Sequence, residues 1–261
     1  MFYVKSNQTK RVMAKVISII NHKGGVGKTV TTANLGAALT IRGYKTLLID
    51  LDGQANLTDI LGISIELENT IYEAMKGKCP LPIETNIDGL KIVPSCLDMS
   101  AIDTELLQAY AREYILSKLI DPVKKDYDYI LIDCPPSLSL STINAMTASD
   151  SILIPVEAEY LAMRGMGKLT TVIGTVQEQL NPELKIEGIV MTKFNSRKRF
   201  NQDTYNTVYD VFKSTVFDTK IRNNVSLGEA TAAKHDIFRY APKSAGAEDY
   251  NLLCDELLTR K

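Results

Sequence analysis

The sequence is poor in the residues that build metal centres and membrane spans: 261 residues carry two histidines, four cysteines and no tryptophan, and the formal net charge is −1 at pH 7. Cys79, Cys96, Cys134 and Cys254 lie far apart and include no CxxC pair, so neither a zinc site nor a cluster site is indicated, and reduced, mostly buried thiols are expected. The two histidines add no ligand set, and His22 reads as a packing residue. The near-zero charge excludes a global basic field, so any nucleic-acid binding must come from a local patch or an assembled dimer. No apolar run approaches the roughly 20 residues needed to cross a bilayer. Residues 1–12 are polar, basic and aperiodic, and lack the apolar stretch of about 7 to 15 residues that a secretory signal needs. They read as a flexible extension, with Lys5, Lys10 and Arg11 leaving a short DNA-contacting arm open, and one domain is expected over residues 13–261. With 45% hydrophobic and 23% charged residues, that length suits a single soluble α/β domain.

What the sequence does have is KGGVGKT, Lys23 to Thr29, set between an apolar run (Val16 to Ile20) and an amphipathic one (Val30 to Arg42). A strand, a glycine-rich turn and a helix in that order are what a phosphate-binding loop requires. Gly24, Gly25 and Gly27 let the backbone turn its amides inward around Val26, and the helix N-terminus adds partial positive charge at the same point. Lys28 is placed for the β and γ phosphates and the Thr29 hydroxyl for Mg²⁺. Position 22 holds histidine where the strict pattern has glycine, and a second lysine, Lys23, follows it. From the mouth of the loop Lys23 reaches a facing subunit's nucleotide more readily than its own.

Two further strands end in acids. TLLID (Thr46 to Asp50) is short and uniformly apolar, as a central parallel strand should be, and continues into LDGQANLT. Asp50 and Asp52, two positions apart where the strand gives way to a loop, are expected to have different jobs. Asp52 is assigned to the γ-phosphate region, positioning the attacking water, and Asp50 to structure or the outer Mg²⁺ shell. YILID (Tyr129 to Asp133) has the Walker B form, in which the carboxylate of Asp133 serves the Mg²⁺ shell. Between and after these, the periodicity predicts a short helix near Thr70 to Met75, a strand at Leu90 to Val93, a helix over Ala101 to Ile120 with Leu107, Tyr110 and Tyr114 on one side, strands at Ser151 to Pro155 and Lys185 to Thr192, and a closing helix over Ala245 to Thr259. Alternating strands and helices give a doubly wound, mainly parallel sheet with helices on both faces. Lys193, Arg197, Lys198 and Arg199, interleaved with Phe194 and Phe200, read equally as a phosphate-backbone footprint or as a solvated loop.

The loop with its first lysine, the segment LDGQANLT, the double proline after Asp133 and the stretch VEAEYLAMRGMGKL resemble the deviant Walker A ATPases of the ParA, Soj and MinD type. Gly53 and Ala55 stand where that family's switch has proline and glycine, Ala158 and Arg164 where it has proline and glutamate, and Val30 where it has a hydroxyl residue for the α-phosphate. The resemblance implies ATP and Mg²⁺ as cofactors, an ATP-sandwiched homodimer completed by Lys23, adenine held by Thr192 and Asn223, and non-specific DNA binding that includes Arg222. It also implies a ParB-like centromere-binding partner that speeds slow hydrolysis, and a cytoplasmic, nucleoid-associated protein. The chain lacks the basic amphipathic tail of membrane-cycling relatives, so no stable membrane association is expected. A nucleotide-gated regulatory or positioning protein with negligible turnover, MinD-like or a transcriptional repressor, is the alternative.

Overall fold

Apolar runs of five residues that finish on an acid become the middle of the sheet. The chain passes through β1 (Lys15–Ile19), α1 (Lys28–Ile41), β2 (Thr46–Asp50), α2 (Asn56–Ile60), α3 (Ile71–Met75), β3 (Glu84–Thr85), β4 (Lys91–Val93), α4 (Ile102–Glu105), α5 (Ile115–Ile120) and β5 (Tyr129–Asp133). It continues through α6 (Leu140–Ala148), β6 (Ser151–Glu157), α7 (Ala162–Gln179), β7 (Lys185–Phe194), α8 (Arg199–Phe212), β8 (Val216–Arg222), α9 (Val225–Ala232), α10 (Ile237–Tyr240) and α11 (Ala245–Thr259). This computed structural model describes residues 13–86, 89–159 and 162–260, with backbone alone for 162–164. The expected extension over 1–12 and the Tyr160–Leu161 pair lie outside the described residues.

The strands form one sheet in the order β3-β4-β2-β5-β1-β6-β7-β8, parallel throughout except for β3 against β4. Successive residues of one strand serve opposite cores: Val16, Leu47, Ile49, Ile130 and Ile132 face one hydrophobic cluster, and Ile17, Ile19, Leu48 and Leu131 face the other. A strand buried on both faces has no room for alternation with polar residues, which is why these segments read as unbroken apolar runs.

α1 is less amphipathic than its sequence implied. Residues Thr31 to Leu39 are all buried, because α11 covers the side turned away from the sheet, and Arg42 closes that contact on Asp255 at 2.6 Å. Losing the Leu35 or Leu39 side chain to alanine would cost about 2–5 kcal/mol.

The single helix expected over Ala101 to Ile120 is broken. A 3₁₀ turn at Leu97–Ala101 leads into α4, Ala111 adopts φ +49°, and a second 3₁₀ turn precedes α5. Asn144 of α6 supplies the missing partners, donating to Arg112 O at 2.8 Å and accepting from Leu116 N at 3.1 Å. Of the face assigned to Leu107, Tyr110 and Tyr114, the first two are exposed, Tyr110 fully, whereas Tyr114 is half-buried and donates from its hydroxyl to Leu180 O at 3.3 Å. The basic stretch at 193–200 proves to be a strand end, a turn and the start of α8, and an unforeseen edge strand, β8, lies outside β7 and takes in the first two residues of the IRNNV loop. In α11 Leu253 and Leu257 are buried, whereas Leu252 is turned outward.

Candidate active site

β2, β5 and β1 are neighbours, and their register sets Asp50 beside Asp133 and Asp133 beside Ile19. Three carboxyl ends therefore converge, and the loop that leaves β1, the acids of β2 and the acid of β5 share one edge of the sheet, the position where open α/β sheets hold ligands.

The loop has the backbone its sequence demanded. Gly25 and Gly27 take φ +77° and +88°, left-handed values that side chains resist, and Gly27 caps α1 without any side-chain hydrogen bond. No acid occupies the first turn of α1, so its amides and macrodipole remain available to an anion. A Cβ on Gly24 would lie 4.0 Å from Pro136 Cβ, which places the double-proline turn against the loop. Lys28 is buried, with Nζ donating to Lys23 O at 3.4 Å. Burial lowers its pKa, opposed by the nearby Asp133, Cys134 and Asp52.

Asp133 is wholly buried, and burial together with the Asp50 carboxylate pushes its pKa up, while the Thr29 hydroxyl and Lys28 act in the opposite direction. Thr32 Oγ1 approaches Oδ1 at 3.4 Å, but the buried Oδ2 finds no partner among the described residues. A buried carboxylate oxygen without a donor is costly unless a cation meets it. Beside Thr29 and Lys28, this donor set fits Mg²⁺ on a nucleotide.

The two acids of the second strand have different surroundings. Asp50 is fully buried, and its Oδ2 accepts from Thr58 N at 2.9 Å and Thr58 Oγ1 at 2.8 Å. Burial raises its pKa to about 6 in spite of these bonds. Its partners make it structural. Asp52, two residues beyond the last paired residue of β2, is half-buried and accepts from Gln54 N at 3.0 Å.

Lys23 Nζ pairs with Glu159, two residues past the end of β6, rather than bending into its own loop. His22 packs as expected, with its buried Nδ1 finding no partner among the described residues and its ring so close to Gly165 that a Cβ there would come 2.4 Å from Cε1.

A cleft of 270 Å³ adjoins the loop between Gly27, Val30, Thr192 and Asn223. Thr192 also donates to Val26 O at 2.8 Å and so ties β7 to the loop. Asn224, Leu227 and Tyr250 line the same cleft and were not picked out from sequence. The first left a signal, since Asn224 is the cap of α9 and accepts from Ser226 N at 2.8 Å; Tyr250, in the closing helix 219 residues along the chain from its hydrogen-bond partner Thr31 at 3.2 Å, left none.

The basic residues separate into two groups. Lys193 and Arg222 line the cleft, and Arg222 is held by Asp249 at 2.6 Å and Glu248 at 2.5 Å. Lys193 stands 3.5 Å from Glu157. Arg197, Lys198 and Arg199 are exposed, and Arg199 has only a loose contact with Asp203 at 3.9 Å.

With this geometry in place, the likenesses to known proteins have a physical basis. Residues 14–186 match the AAA domain family. The chain is 40% identical to the sporulation initiation inhibitor protein Soj of Bacillus subtilis over 94% of its own length and 98% of that protein's, and 40% identical to the chromosome partitioning protein ParA of Myxococcus xanthus over 99% and 93%. Its fold is similar to that of cobyrinic acid a,c-diamide synthase from Mycobacterium smegmatis, solved with bound ADP and magnesium, with a TM-score of 0.84, 33% identity and 94% of both chains covered. In the described residues no helix is long and apolar enough to cross a membrane. The phosphate loop, the two acid-ended strands and these relatives agree: the chain belongs to the AAA domain family and, within it, to the ParA and Soj family of partition ATPases.

Proposed function

We propose that the protein hydrolyses ATP slowly, dimerises around bound ATP, holds DNA without sequence preference in that state, and lets go when a ParB-like centromere-binding protein speeds hydrolysis. The observation that carries this reading is the unpartnered Asp133 Oδ2, a buried negative atom beside Thr29 and Lys28. Mg²⁺ held by Thr29 and Asp133, with Asp52 near its outer shell, would neutralise charge on the transferring phosphoryl group. The amides from Gly24 to Thr29 and the Lys28 ammonium bind the β and γ phosphates. Val30, Thr192 and Asn223 receive the adenine. Asp52, half-exposed at the end of β2, orients the attacking water.

Lys23 completes the partner's site, exchanging its Glu159 contact for a phosphate across the dimer. The phosphates are met by lysines and amides instead of an arginine finger, which supports a slow intrinsic rate. Arg197, Lys198 and Arg199, with Lys193 behind them, supply the phosphate-backbone contacts, and such contacts position a protein without reading bases. A dimer doubles them, so triphosphate binding turns weak adherence into occupancy of the nucleoid.

Sedimentation with a non-hydrolysable ATP analogue, paired with mobility shifts on unrelated duplexes, tests the reading. Dimers and retarded duplex are expected with the analogue, and neither with ADP. A chain that stays monomeric at saturating analogue would refute it.

A further inference from the structure

The loop bearing Asp52 is clamped from outside by a segment that no site assignment includes. Ser95, fully buried just beyond β4, donates from Oγ to Asp52 O at 2.8 Å and from its backbone N to Thr58 Oγ1 at 2.9 Å. Thr58 Oγ1 in turn donates to Asp50 Oδ2, and Asp52 N donates to Asp50 Oδ1 at 3.1 Å. The four residues close a ring, and both the amide and the carbonyl of Asp52 are members of it. With its peptide groups held on both sides, the Asp52 carboxylate has little freedom beyond its own side-chain rotation.

Five residues further on, the same segment presses on the loop again. A Cβ on Gly53 would fall 2.1 Å from Ser100 Oγ and 2.6 Å from Ser100 N, so the backbone of the 3₁₀ turn occupies the space any side chain would need. Gly53 stands where the resembling motif carries proline, and a ring there would collide with Ser100. The segment then reaches the other phosphate-facing turn: Asp103 Oδ1 accepts from Ser141 N at 2.9 Å and from Ser141 Oγ at 2.6 Å, fixing the start of α6 just after the double proline.

We propose that Ser95 is a positioning residue for ATP hydrolysis, holding the Asp52 carboxylate against the attacking water through the Asp52 carbonyl and Thr58, with the Gly53–Ser100 contact as the second point of the clamp. This rests on the assignment of Asp52 to the attacking water. The role belongs to turnover and not to nucleotide affinity, because Ser95 touches neither the phosphate loop nor the adenine cleft.

Single-turnover hydrolysis and the Kd for a fluorescent ATP analogue should be measured for Ser95→Ala, Gly53→Ala, Asp52→Ala and the Ser95→Ala/Asp52→Ala double variant. Displacing a group that orients a reacting one costs about 10-fold to 100-fold in rate. Ser95→Ala and Gly53→Ala are each expected to slow hydrolysis by that factor with the Kd within twofold of the parent, and Ser95→Ala should slow the Asp52→Ala protein no further. The Asp52 carbonyl keeps its bond from Ala55 N at 2.9 Å, so the loop of Ser95→Ala remains folded, and thermal melting verifies it. An Asp52→Ala protein that is inactive beside a Ser95→Ala protein at full rate would overturn the clamp alone. Rate and affinity falling together in Ser95→Ala would overturn it too. Full hydrolysis by Asp52→Ala would sink the assignment of Asp52 and the clamp with it.

Discussion

If the protein holds DNA as proposed, the salt dependence of that binding follows from the count and placement of its exposed cations. Arg197, Lys198 and Arg199 are exposed at the start of α8, and the proposed footprint adds the exposed Lys193 at the end of β7, whose contact with Glu157 at 3.5 Å is loose enough to yield to a phosphate. If each neutralises one phosphate, the slope of log affinity against log salt is about −3.6 for a monomer and about −7 for a dimer. Raising salt from 50 to 200 mM should then weaken the monomer about 150-fold and the dimer about 20,000-fold. The triple change Arg197→Ala/Lys198→Ala/Arg199→Ala removes six contacts per dimer and should flatten the dimer slope by about 5, whereas Arg222→Ala, whose charge Asp249 and Glu248 already offset, should leave the slope unchanged. Fluorescence anisotropy on an unrelated duplex, titrated with salt in ATP analogue and in ADP, gives both slopes. Equal slopes in the two nucleotides would refute the doubling of contacts, and an unaltered slope in the triple variant would refute the location of the footprint.

Other consequences concern the nucleotide site. Lys28→Ala should abolish ATP binding by calorimetry, while Lys23→Gln should bind ATP and remain monomeric in sedimentation, as the proposed cross-subunit role of Lys23 requires. Asp133→Asn removes one of two adjacent buried carboxylates, Asp50 and Asp133 being register partners. It should therefore stabilise the nucleotide-free protein to urea by about 1–3 kcal/mol and abolish hydrolysis; a destabilised apo variant would contradict the electrostatics. His22 has its pKa lowered below the ordinary 6.5 by burial, then by Lys168 and Lys28. The unfolded chain thus takes up the proton first, and the stability this residue provides is whole above pH 6.5 and lost as pH falls through its lowered folded pKa. A proton NMR titration should put the His22 midpoint below 6.5, and a midpoint above it would contradict the packing against Gly165.

How much of this was legible beforehand depended on the range of the interaction. KGGVGKT, TLLID and YILID announced a phosphate loop and two acid-ended strands because glycine conformation, unbroken apolar runs and terminal acids are local properties, and the structure reproduces both acid-ended strands to the residue. The closing helix was likewise found at its full extent, since Ser244 caps it and its leucines recur with helical period. Where a segment's backbone partners come from elsewhere, local pattern misled: Asn144 breaks the helix expected over Ala101 to Ile120, and α11 buries the second face of α1.

The division of labour between chain and fold is clearest at the acids. Sequence alone determined that a glycine-rich loop ending in Lys28 would stand between a strand and a helix and that two further strands would end in acids, because such motifs need particular residue types at fixed local spacings. Only the tertiary structure decided that Asp50 is bound up with Thr58, that Asp133 keeps one oxygen without a partner among the described residues, and that Arg222 pairs with Asp249 and Glu248. Those assignments depend on which distant side chains arrive within about 3 Å, and hydrogen bonds and ion pairs at that range are fixed by the packing of elements far apart in the chain.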